Sequence, residues 1–125
     1  DFTRDRRAFT ALVRNLCFSM LRALAGRDYE SFLDLVEPGE ATLAVIDVER
    51  ALRPLFETGE TIRVDAVARN PQHTTLEPGD EHWRVAQSIL VGDEVSEFVI
   101  TGRIDLARSR AQRRPVFLLD HVGAV

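Results

Sequence analysis

Arginine carries all of the strong positive charge in this chain: its 16 basic residues include no lysine. A Walker A loop sets a lysine on nucleotide phosphates and a Schiff-base enzyme needs a lysine amine, so neither chemistry fits. No ATP binding or hydrolysis, and no cofactor, is expected of these residues. The three histidines, His73, His82 and His121, lack zinc-type spacing, and Cys17 is the single cysteine, so no metal site is expected either. No Gly-x-Ser-x-Gly elbow is present to support a serine hydrolase. Cys17 lies among apolar residues at helical spacing, which predicts a small buried hydrophobe rather than a nucleophile. With no internal disulfide possible, the chain suits a reducing, cytoplasmic setting.

Two groups of residues keep some chemical interest. Arg7, Arg14 and Arg22 recur along one side of a helical stretch, with Phe18 among them. The outer face of a helix ordinarily carries solvated charge. A ring set between arginines can also stack a base or dock on an acidic protein surface. This stripe is the candidate partner or nucleic-acid surface. The second group is Tyr29, Trp83 and Gln87. Gln87 alternates in step with Trp83, Val85 and Ile89, so its amide falls on an apolar face, where it is costly without partners. It is either a satisfied buried amide or the polar lining of a pocket, with Tyr29, the single tyrosine, supplying a hydroxyl. Trp83 begins the apolar face of its strand and is predicted to anchor the core. Asp105 has apolar neighbours but alternates with Glu97, Thr101 and Arg103, which turns it away from Phe98 and Ile104 unless Gly102 shifts the register. No catalytic residue is assigned.

The elements that must position these groups follow from periodicity. Phe9, Leu12, Val13, Leu16, Met20 and Leu24 predict a helix to about Ala25, closed by Gly26. Asp28 is placed to cap a short second helix. A third helix is expected from an Asp47 cap to Thr58, with a kink or break at Pro54, where a regular helix loses about 3 kcal/mol. Beyond Gly59 the period changes to two. Strands are expected over Ile62–Arg69, His73–Leu76, Trp83–Ile89 and Phe98–Leu106, with Gly102 marking a bulge or bend. Arg108–Arg114 reads as a polar loop and Val116–Val122 as a last strand. Helices first and an antiparallel meander second is an α+β order. The expected architecture is therefore a set of N-terminal helices packed on a curved antiparallel sheet of four to five strands.

A length of 125 residues with 45 % apolar content fits one domain, 1–125, with its own core. The net charge of −4 excludes a uniformly basic nucleic-acid surface. Arginine nevertheless outnumbers acid over residues 1–30 and 106–125, so an anionic partner would meet the two ends. No unbroken apolar run approaches the roughly 20 residues of a membrane span. The first residue is Asp1, as expected of a fragment of a longer protein.

The order of elements is similar to the cone-shaped fold of nuclear transport factor two and ketosteroid isomerase. Short strings narrow the resemblance. Arg7-Ala8-Phe9 with Val13-Arg14-Asn15, Ala68-Arg69-Asn70-Pro71, Trp83-Arg84-Val85-Ala86-Gln87 and Ile104-Asp105-Leu106 resemble the domain of unknown function at the C-terminal end of actinobacterial DEAD/DEAH-box helicases. The resemblance spans nearly the whole chain but contains no catalytic signature. It implies a non-enzymatic accessory module of a bacterial helicase that positions nucleic acid or braces the motor. The implied partners are the helicase core and RNA or DNA, with no membrane; a dimer through the sheet is compatible. The alternative, by fold analogy, is a small-molecule-binding domain or a ketosteroid-isomerase-like enzyme with a pocket near Gln87 and Tyr29.

Overall fold

Helix α1 spans Arg6–Ala25 in the computed structural model, which describes residues 2–40 and 42–125. Asp5 starts the helix by accepting the Ala8 N–H on its carboxylate, and the Gly26 N–H closes it onto the Arg22 carbonyl. The buried stripe is Phe9, Val13, Cys17, Met20, Leu21 and Leu24. Leu12, expected among them, is 39 % exposed. At about 100° per residue it falls on the far side of Phe9 from the centre of that stripe. By length and composition alone α1 could cross a membrane, contrary to the expectation from unbroken apolar runs. Its apolar side is instead buried in the protein core.

Asp28 caps α2 (Tyr29–Asp34) by accepting the Ser31 N–H and hydroxyl, as expected of that residue type. β1 is the two-residue strand Glu37–Pro38. Helix α3 spans Val45–Glu57, so Asp47 lies inside its first turn rather than at the cap. Its carboxylate reaches back to the Ala44 N–H at 2.8 Å, half of a capping box. Pro54 does not break α3. The carbonyl it deprives of a partner belongs to Arg50, and both residues face solvent, where water can replace the lost bond.

The stretch Ile62–Arg69 is not a strand, although its alternation suggested one. Only Ile62 bridges to the sheet, opposite Val91. The Asp65 carboxylate accepts the Val67 and Ala68 N–H groups and pairs with Arg63, turning the chain away. Such local side-chain bonds compete with a strand ladder. A 3-10 turn, Pro71–His73, capped by Asn70, then delivers the chain to β2, Thr74–Glu77.

β3 (His82–Val91), β4 (Glu94–Asp105) and β5 (Phe117–Ala124) complete a sheet of order β1-β5-β4-β3-β2. The sheet is mixed rather than wholly antiparallel, because β1 lies parallel to β5. Helix α4, Leu106–Gln112, takes up most of the expected loop Arg108–Arg114. Asp105 caps α4 by accepting the Arg108 N–H at 3.0 Å, which gives this residue a structural task at the end of β4. The buried Ser109 hydroxyl donates to the Asp105 carbonyl and accepts the Val116 N–H, and left-handed Arg113 ends the helix. The ladder slips between Thr101 and Gly102 opposite β5, the bulge expected of that glycine.

The core lies between one face of the sheet and helices α1–α3. Phe9, Trp83, Ile100, Ile104 and Phe117 belong to this core, each 3 % exposed or less. Trp83 meets Phe9 edge-on at 5.1 Å, and Phe9 meets Phe2 in the same way at 5.5 Å.

Candidate functional site

On α1, Arg14 and Phe18 flank the buried stripe, while Arg22 lies nearly opposite its centre. At about 100° per residue, Arg14 falls next to buried Leu21 on the helix, and Phe18 and Arg22 follow around the same side. The turn held by Asp65 brings Ala68 and Arg69 against this flank. Phe18 is consequently half-buried, with the Arg69 guanidinium over its ring at 4.4 Å and that of Arg22 at 5.7 Å. A cleft of about 210 Å³ opens here, lined by Arg14, Asn15, Phe18, Arg69, Thr74 and Gln87 among others. Arg7 is exposed, lies two turns before Arg14, and does not line it.

Gln87 forms part of the wall of this cleft. It is 2 % exposed, and its amide is fully engaged. The Thr74 hydroxyl donates to Gln87 Oε1, while Gln87 Nε2 donates to the carbonyls of His73 and Ser88, both at 3.1 Å. A satisfied buried amide and a cleft lining are thus one and the same residue here. Arg14 differs: its Nε is buried and has no hydrogen-bond partner. An unpaired buried donor on a charged group is costly, and native proteins rarely leave one.

Tyr29 is not brought to Gln87. It lines a separate groove of about 280 Å³ between α2 and α3, with Arg27, Glu49, Arg53 and Phe56. Burial pushes its phenol up, partly offset by Arg27. Trp83 is a core residue and lines neither opening. The three expected pocket residues are therefore dispersed. Spacing alone does not mark Arg69 or Thr74 as cleft residues: the alternation of Ile62–Arg69 points to a strand, whereas the Asp65 turn brings Arg69 to the cleft beside Thr74.

A wider groove of about 330 Å³ crosses the outer face of the sheet beside Thr75, Arg84, Thr101 and Arg103. Arg103 pairs with Asp120 at 3.2 Å, and Asp120 also accepts the Glu40 N–H. Its charges are partly neutralised from within, unlike those of the α1 cleft.

The histidines are scattered, and no three His, Cys, Asp or Glu side chains among the described residues converge on a possible metal site. Cys17 is fully buried, and burial pushes its thiol up to about 12. The thiolate is the reactive form, so Cys17 is chemically quiet at neutral pH. A disulfide reagent at pH 7 is expected to leave the folded chain unmodified and to titrate one thiol after denaturation. Rapid modification of the native protein would show that the core face of α1 opens readily.

These features describe an α+β domain with a filled core and an arginine-lined cleft on the flank of its first helix. The chain belongs to the family DUF3516, a domain of unknown function, whose model matches residues 1–122. No curated protein and no solved structure matches it.

Proposed function

We propose that this domain is a non-enzymatic accessory module of a DEAD/DEAH-box helicase, bracing the motor by docking against an acidic protein face. The observation that carries the reading is half-buried Phe18 with Arg22 and Arg69 over its ring and Arg14 lining the same cleft, in a chain that is net acidic. Arginine and an embedded aromatic are the residue types that anchor protein interfaces. Nucleic acid fits less well, because the Arg69 guanidinium lies over the Phe18 ring on which a base would stack. The ketosteroid-isomerase-like alternative draws little support, since apolar side chains occupy the space between sheet and helices and Tyr29 lies apart from Gln87.

The test compares the parent helicase with a variant carrying Arg14→Glu and Arg22→Glu. Contact between this domain and the motor is expected to weaken about tenfold or more, because reversed charges meet an acidic surface. Nucleic-acid affinity should stay unchanged, and Phe18→Ala should weaken docking on its own. Loss of nucleic-acid affinity with docking intact would transfer the surface to RNA or DNA. Unchanged docking, affinity and unwinding would leave it an ordinary solvated helix face.

A further inference from the structure

We infer that the cleft between α1 and the Ala68–Thr74 segment is a binding site for a single carboxylate, held by Arg14 and Arg69. The argument begins with the buried Nε of Arg14, which has no acceptor. A guanidinium presents Nε–H and a terminal N–H side by side, a fork that matches the two oxygens of a carboxylate. The second guanidinium, on Arg69, rests its face on Phe18 at 4.4 Å. Stacking of this kind engages the face of the group and leaves the N–H edges able to donate. No salt bridge among the described residues engages Arg14 or Arg69.

The remaining walls determine what fits. The Thr74 hydroxyl donates its hydrogen bond to Gln87, and both amide protons of Gln87 are committed to backbone carbonyls. The donors left for a ligand are thus the two guanidinium forks and the Asn15 amide. That set suits two oxygens better than the three of a phosphate, which commonly calls on backbone N–H groups at a helix N-terminus or glycine-rich loop. Neither stands here: α1 begins at Arg6, two turns before Arg14, and no glycine lines the cleft. At about 210 Å³ the space is also smaller than the roughly 300–1,000 Å³ of ordinary ligand pockets. It accommodates one short acidic group, such as the side chain of Asp or Glu on a partner. The source of the carboxylate rests on the docking reading; the capacity of the cleft to bind one does not.

The test uses the 125-residue chain and NMR of its arginine Nε–H groups. The probe is glutarate, with inorganic phosphate and sodium chloride at matched ionic strength as the other arms. Glutarate is expected to shift the Arg14 Nε–H signal saturably, with chloride producing no such curve. With the Phe18 ring signals as reporter, Arg14→Lys should weaken glutarate about tenfold, because lysine keeps the charge but loses the fork. Arg69→Gln should also weaken it, with unchanged Trp83 fluorescence reporting an intact core. A glutarate response no different from chloride, or one indifferent to both substitutions, overturns the site. Tighter binding of phosphate than of glutarate overturns the assignment to a carboxylate. Saturable glutarate binding alongside unaffected docking of the parent would retain the cleft and remove the docking reading; the reverse pattern would do the opposite.

Discussion

Replacing Trp83 with alanine is expected to remove about 3–5 kcal/mol of folding stability, read as a lower urea midpoint at unchanged slope. The ring is buried at 3 % exposure and meets Phe9 edge-on, and Phe9 in turn meets Phe2. Truncation deletes the largest side chain in the core and leaves Phe9 without its partner. Neighbours can relax only partly, because Ile104 stands directly opposite Trp83 on the adjoining strand. Domains of this size hold about 5–15 kcal/mol in total, so the variant would sit near the edge of folding. A loss below about 1 kcal/mol, the range of surface substitutions, would show that the ring does not anchor the core.

Gly102→Val is the second substitution with a large expected effect, and it sets two tendencies against each other. Valine favours strands, but the whole propensity scale spans only about 1 kcal/mol. Against that, a Cβ at this position would overlap the Leu118 carbonyl and the Phe117 ring. The carbonyl belongs to the neighbouring strand and cannot swing aside as a flexible side-chain tip would. Overpacking of this kind costs about 1–3 kcal/mol, and an immovable backbone contact puts Gly102 at the upper end or beyond. Thermal unfolding should therefore begin at a lower temperature in the variant. Unchanged or raised stability would mean that β4 and β5 can separate locally without loss.

Helices α1 to α3 and the three long strands were legible because their apolar spacing reports burial directly. Phe9, Val13 and Met20 mark one face of α1, and Trp83, Val85 and Ile89 mark one face of β3. Segments governed by a single polar side chain were not legible that way. Asp65 folds back on two N–H groups, so the alternation of Ile62, Val64 and Ala66 never becomes a ladder. Asp105 and Ser109 make α4 from a run that reads as polar loop; Asp before an apolar residue was the available signal, an N-cap ahead of Leu106. The parallel pairing of β1 had no local signal at all, since two residues carry no period. For the cleft, the α1 stripe and Gln87 stood out by residue type, whereas their proximity depends on the Asp65 turn and could not be read from spacing.

The parallel clasp of β1 on β5 also bears on the order in which the chain can assemble. Glu37 and Pro38 pair with Leu118 and Leu119, the Gly39 N–H meets the Leu119 carbonyl, and Glu40 meets Asp120 across a separation of 80 residues. The meander β2–β3–β4 can zip through near neighbours, but this contact needs nearly the whole chain. Pairings so distant raise the contact order and slow folding, because a long loop must close before they give anything back. On a ribosome, which extends a chain by about 5–20 residues per second, the segment around Glu37 must wait several seconds for its partner strand. Through that interval α3, which packs on β5 in the finished domain, lacks the cover that this strand provides.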